Sequence, residues 1–280
     1  MTTAADAVRA IAAWPEVDDV IPHVRQACTE LRWHQALRRR IPESAAESRV
    51  RGAAASAELD GARSAVEDVR DLMRGALDRA THTSPTELTV LAAVQSTAES
   101  EHVERLLGTS PAQALARLHV AAGALLLPPE QVGRPRSVDQ PCLEFSEIDS
   151  GLTTPGAFEA RLRALTELMA VRDAPALVVV ALAHAEVVTM RPFLRGNGLV
   201  ARGLERALLR ATGLDPTGVV VPEVGHLQSG QTAYLGALLA YSSGSREGVS
   251  LWVRHCAQAI ITGAQEGWRV ADAVLVGRLS

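Results

Sequence analysis

Lysine is absent from this 280-residue chain, whose 28 basic residues are all arginine. Two chemistries fall with it, because a Schiff-base enzyme needs a lysine amine and a Walker-type loop needs a lysine to reach the phosphates. Aromatic residues make up only 3%, too few for a surface on which bases stack or for an aromatic-rich β-sandwich. The three cysteines, Cys28, Cys142 and Cys256, are odd in number and far apart. That argues against a disulfide framework and a zinc site. A basic excess is missing too: the formal net charge is −4 and the pI about 6.1, so a nucleic-acid partner is not expected. The one dense basic cluster, Arg38-Arg39-Arg40, reads as a solvated helix end. Residues 1–9 include Asp6 and lack the basic-then-apolar order of an export signal, and no run of about 18 purely apolar residues occurs. The expectation is a cytoplasmic chain with no membrane partner.

What the chain has is small aliphatic residues. Hydrophobic residues reach 47%, largely Ala, Leu and Val, a composition suited to closely packed helices. Apolar positions at helical spacing predict an amphipathic helix over 24–40 (Val24, Ala27, Leu31 and His34 or Gln35 on one face), one or two Ala-rich helices over 44–80, and further helices over 88–107 and 111–127. Ser84-Pro85 and Ser110-Pro111 are start signals for the last two. The stretch 128–155 is rich in Pro, Gly and Asp, with the apolar fragment Cys142-Leu143-Glu144-Phe145 able to pair as a hairpin. Beyond it, helices are predicted over 157–170, 174–189, 199–211, 231–242 and 250–263.

Between the two central apolar helices lies the most informative segment, Arg191-Pro192-Phe193-Leu194-Arg195-Gly196-Asn197-Gly198-Leu199-Val200-Ala201-Arg202. Glycines at a helix start free the backbone and let an anion approach the exposed N–H groups, which the helix dipole also favours. The segment resembles the signature of the Fic domain family, His-Pro-Phe-x-(Asp/Glu)-Gly-Asn-Gly-Arg-x-x-Arg, whose members usually transfer AMP from ATP to a protein hydroxyl. Pro192, Phe193, Gly196, Asn197, Gly198 and Arg202 fall on the pattern. Arg191 stands where the family has its catalytic His, Arg195 where it has the metal-binding carboxylate, and Leu199 where it has the first Arg. Upstream, Ser56-Ala57-Glu58-Leu59-Asp60-Gly61 resembles the family's inhibitory motif, (Ser/Thr)-x-x-x-Glu-(Gly/Asn), with Asp for Glu. Residues 56 and 60 share a helix face, and the resemblance implies that Asp60 points at Arg202.

The resemblance implies an all-α Fic-like helical bundle with a short β-hairpin flap and an N-terminal helical extension, divided as 1–43 extension, 44–267 Fic-like domain and 268–280 tail. It places a docking flap for a protein partner near 133–145, the flap itself being set at Gly133-Arg134-Pro135-Arg136. A homo-oligomer stays open. An ordinary helix–loop–helix turn would also favour Gly and Asn, and the three arginines could be surface residues. Their grouping around one turn suits phosphate instead. The anion-binding or nucleotide-binding set is therefore Arg191, Phe193, Arg195, Gly196, Asn197, Gly198, Arg202 and Tyr234, and the inhibitory-like set is Ser56, Asp60 and Gly61. No cofactor is required, the ligand is a nucleotide or phosphate, and magnesium is not expected where Arg195 replaces a carboxylate.

Arginine stays protonated at neutral pH and cannot act as a base, so standard AMP transfer is not expected and no catalytic residue is named. The alternative is a metal-independent transferase or lyase using the arginine-lined turn with Glu186 or Asp139 as base. His184 and His119 read as structural. His82, His102, His226 and His255 lack ligand partners at helical spacing, so no metal cluster is expected.

Overall fold

A computed structural model describes residues 3–77 and 83–278. In chain order its helices are α1 (Ala4–Ala12), α2 (Pro15–Asp18), α3 (Val20–Arg32), α4 (Ile41–Leu59), α5 (Val66–Arg74), α6 (Pro85–Val103) and α7 (Pro111–Gly123). They continue with α8 (Pro155–Met169), α9 (Ala176–Met190), α10 (Asn197–Ala211), α11 (Pro222–Ser229), α12 (Gln231–Ser242) and α13 (Arg246–Leu275). Among the described residues there is no strand.

The centre is the pair α9 and α10. From Leu177 to Met190 every residue of α9 except Glu186 is buried. Its valines are weak helix formers, but a helix that is apolar all round is stable where it is wrapped by others. On α10 every position from Asn197 to Leu209 is buried, including Asn197, Arg202, Glu205 and Arg206. Polar groups in such a place must find partners. Arg206 does so with Glu223 of α11 at 3.0 Å and Ser48 of α4 at 3.0 Å. Helices α4, α6, α7, α11 and α13 surround the pair.

Local signals explain most boundaries. Ser84 accepts from the Glu87 N–H while Glu87 accepts from the Ser84 N–H, a reciprocal cap that starts α6. The helix predicted over 24–40 instead starts at Val20, because Pro22 is tolerated in a first turn. It stops at Arg32, and His34 turns back to accept from the Ala36 N–H. Helix α11 escaped prediction, being too short to show a period. It packs so closely on α13 that a Cβ at Gly225 would lie 2.0 Å from Ala259 O. Helix α13 runs unbroken across the boundary expected at 267/268. Val8, Val17, Val24 and Leu31 from the N-terminal forty residues join the same core as the rest. The one or two helices predicted over 44–80 are α4 and α5, and the last residues of that stretch and His82 lie outside the described residues.

The expected hairpin is absent. Between α7 and α8 the described chain is irregular apart from a short 3₁₀ turn, Pro129–Gln131. Its donors are spent on tertiary contacts rather than on a partner strand: Gly133 N–H donates to His119 Nδ1 and Arg136 N–H to Pro192 O. Phe145 adopts a left-handed φ of +51°, which breaks an extended run. No helix among the described residues is long and apolar enough to cross a membrane.

Candidate functional site

Gly196 sits at φ +81° and caps α10, a conformation strained for any side chain. The next residue closes the turn on itself: Asn197 Oδ1 accepts from the Phe193 N–H at 3.0 Å and its Nδ2 donates to Phe193 O at 2.9 Å. The helix start that results holds an anion, supplied by the chain. Glu144 Oε1 accepts from the Gly196 N–H at 2.7 Å, and Oε2 accepts from the Asn197 N–H at 2.9 Å and from Asn197 Nδ2 at 2.8 Å. This is the anion geometry of a helix N-terminus. Burial pushes the Glu144 carboxyl above the usual carboxylate range, the Asp60 charge adds to that, and the bonds from Gly196 and Asn197 oppose it.

Arginines pin the loop that carries Glu144. Arg191, at φ +49° on the end of α9, donates through NH1 to Phe145 O at 2.6 Å and Glu144 O at 3.4 Å. Arg136, expected in the docking flap, is buried and donates to Arg191 O at 2.8 Å and Gln140 O at 2.9 Å. Arg191, expected to face a ligand anion, thus grips the backbone of the residue that supplies one.

Beside the turn lies a cavity of about 670 Å³ whose lining includes Asp60, Glu144, Phe145, Arg195 and Gly196. Arg195 is exposed there. Phe193 and Tyr234, both expected at the ligand, do not line it: Phe193 stacks on His119 with ring centroids 3.7 Å apart, and Tyr234 OH lies 2.7 Å from His184 Nε2. Burial pushes the His119 imidazole down to about 4, so it stays neutral as a packing surface. Glu186, proposed as a substitute base, is held by Arg161 at 2.7 Å and by Tyr241 OH at 2.6 Å; Asp139 is not among the residues lining this cavity.

The end of α4 delivers Ser56 and Asp60 to α10, and Asp60 lines the same cavity. Arg202 Nε donates to Ser56 Oγ at 2.7 Å, and NH2 donates to Ser56 O at 3.0 Å and to Asp60 Oδ1 at 2.6 Å. The shorter aspartate therefore spans the gap. Burial alone would lower the Arg202 pKa, but Asp60 and the adjacent Tyr234 hold it above the usual arginine range. Its NH1, also buried, has no hydrogen-bond partner among the described residues. Gly198 makes the approach feasible, since a Cβ there would lie 2.8 Å from Asp60 Oδ1 and 3.0 Å from Arg202 NH1. Gly61 plays a different part from close approach to the turn: nothing lies within 4 Å of its would-be Cβ. At φ +82° it ends α4 in a Schellman motif, with Ala62 N–H to Ala57 O and Gly61 N–H to Glu58 O.

Arg195 brings positive charge to the cavity, and the two carboxylates lining it are committed to Arg202 and to the turn. The expectation of no metal cluster rested on ligand spacing along single helices, and the fold brings donors together from several. His184, Glu205 and His226 converge in the core from α9, α10 and α11. Spacing along one helix could not reveal donors drawn from three.

With that geometry in hand, likeness to known structures becomes informative. No protein-family model matches the sequence and no curated protein does. The structure superposes on Fic-1 from C. elegans with a TM-score of 0.67 at 16% identity, covering 93% of this chain and 73% of that one. A Fic family protein from Desulfovibrio desulfuricans gives 0.65 at 17% identity, with coverages of 95% and 77%. A Fic domain containing signaling protein from Bacteroides thetaiotaomicron gives 0.60 at 15%, with coverages of 91% and 98%. The chain has the Fic fold. The Fic-fold core places the glycine turn and the α4 residues against each other, and it adds Glu144, which sequence reasoning passed over as part of a hairpin. The signal was a single acid, Glu144, between Leu143 and Phe145 in a loop. Glu205 was missed for want of a motif.

Proposed function

We propose that this Fic-fold chain binds a phosphate-bearing anion, such as a nucleotide, at the Gly196–Gly198 turn in a regulatory or interaction role, and that it does not carry out standard AMP transfer. The observation that carries the reading is the Glu144 carboxylate on the Gly196 and Asn197 donors. It marks the turn as built for an anion and gives the site a resting state in which the chain fills it. A ligand phosphate exchanges with Glu144, and Arg202 NH1, buried and without a partner among the described residues, is a further donor for it. Asp60 competes for the same guanidinium.

Catalysis in the usual manner lacks its parts. A guanidinium at 191 cannot accept the proton of a target hydroxyl, and Arg195 repels the metal that would neutralise a diphosphate. The test is incubation of the purified protein with labelled ATP and magnesium, alone and with cell lysate, beside equilibrium binding of ATP, GTP and pyrophosphate. The expected outcome is measurable anion binding indifferent to magnesium and no transferred label. Robust magnesium-dependent labelling overturns the reading, and so does failure of every anion to bind even when Glu144 is removed.

A further inference from the structure

Five helices bring polar side chains to one point inside the core. His184, Glu205 and His226 each have 0% exposure. Glu205 Oε2 lies 2.7 Å from His184 Nδ1 and 2.9 Å from His226 Nε2, and the three donor atoms fall within 4.8 Å of one another. The outer nitrogen of each ring is also held: His184 Nε2 lies 2.7 Å from Tyr234 OH on α12, and His226 Nδ1 lies 3.1 Å from His255 Nε2 on α13. Trp252 packs against both rings, with centroids 5.1 and 6.1 Å away. The other carboxylate oxygen, Glu205 Oε1, is buried without a hydrogen-bond partner among the described residues.

We propose that His184, Glu205 and His226 form a buried site for a divalent cation of the zinc class, bracing α9, α10 and α11 behind the turn. Two imidazoles and a carboxylate are the donor set such a borderline ion takes. Each ring is fixed through its second nitrogen, the arrangement that orients metal-binding histidines. The orphaned oxygen is the observation that the hydrogen bonds among the described residues do not account for: two ring N–H groups satisfy Oε2 and leave the buried Oε1 without a partner. A cation bound through both oxygens, or through Oε1 with Oε2 turned aside, satisfies it. It also opposes the negative charge of the buried Glu205 carboxylate. Tetrahedral bonds of about 2.0–2.2 Å put donor atoms roughly 3.3 Å apart. Glu205 would therefore retreat by about half an ångström from each ring, and the ring proton facing it would shift to the outer nitrogen, toward Tyr234 OH in His184 and toward His255 Nε2 in His226.

The test is metal analysis of the full chain, purified without chelator from zinc-supplemented medium and then reloaded with Co²⁺. We expect about one metal ion per chain, a Co²⁺ absorption spectrum of nitrogen–oxygen coordination, and a lower unfolding midpoint after chelation. Glu205→Gln should lose the metal, and because that variant removes a buried charge and can misfold, Tyr234→Phe serves beside it. Tyr234→Phe keeps the ring packed, releases the second nitrogen of His184, and should weaken metal affinity by about 10–100-fold. Metal below about one ion in ten chains, with no shift of the unfolding midpoint on adding Zn²⁺ or Co²⁺, overturns the proposal and leaves the cluster a hydrogen-bonded network.

Discussion

Replacing Glu144 by alanine withdraws the anion that the chain supplies to its own α10 N-terminus. Three bonds to the turn are lost, from the Gly196 N–H, the Asn197 N–H and Asn197 Nδ2, each of a type with a net value of about 1.5–3 kcal/mol. The sum overstates the loss, because burial already lifts the Glu144 carboxyl above its usual range and so offsets much of the gain. A net destabilisation of about 1–3 kcal/mol in anion-free buffer is expected. Sulfate can then occupy the vacated donors, and at a hundredfold excess over its dissociation constant it returns about 2.7 kcal/mol. For a chain of this size that is a rise in unfolding temperature of roughly 5 °C. In the wild type the same sulfate must first displace Glu144, so its response is the general salting effect plus a small remainder. The assay is thermal unfolding of both proteins in sulfate against sodium chloride of matched ionic strength. If the two respond alike, the turn is not an anion site and Glu144 is simply a loop anchor.

Asp60→Ala should tighten anion binding by freeing Arg202, while costing the ligand-free protein roughly 1–3 kcal/mol for a charged hydrogen bond; calorimetric titration with pyrophosphate reads the first and urea unfolding the second. Unchanged or weakened affinity would mean that the contact at 2.6 Å is structural only. Sulfate affinity of the wild type should rise as pH falls from neutral through the raised pKa of Glu144, because protonation removes the competing charge while sulfate keeps its own; a flat profile contradicts this. Acid should destabilise the fold through His119, lowered from 6.5 to about 4. A depressed histidine means that the unfolded chain binds the proton first, so its contribution is complete above pH 6.5 and is lost as pH falls toward 4. The loss is about 3 kcal/mol at most, and the stability of His119→Leu should vary less over that range.

The fold was legible because its centre is written in periodicity and composition. The run 174–189 could only be a wrapped helix, and the turn after it carried a signature. The contact between Asp60 and Arg202 was legible for the same reason, since residues 56 and 60 share a face whatever the rest of the chain does. What stayed hidden depended on distant packing. Glu144 reaches the turn across 52 residues of sequence, through a loop with no period to read. Arg191 was read by its charge, yet its left-handed backbone and the carbonyls of Glu144 and Phe145 decide where it points. His226 lies on a helix of eight residues that left no trace in the pattern, so its meeting with His184 and Glu205 had no sequence correlate.

Gly198 divides the signature into positions of unequal tolerance. At Arg195 the side chain stands in solvent, where almost any residue fits. At 198 the smallest possible addition, one methyl group, meets the Asp60 carboxylate at 2.8 Å. The empty space above that glycine belongs to the helix facing it, so the outline of the motif is policed from α4, some 140 residues earlier in the chain. A saturation library over 191–202 would accordingly find that any side chain at 198 must push aside the Asp60–Arg202 pair, even in a protein that never meets a ligand. A search keyed to glycines would keep recognising such a chain after every reactive group had been exchanged.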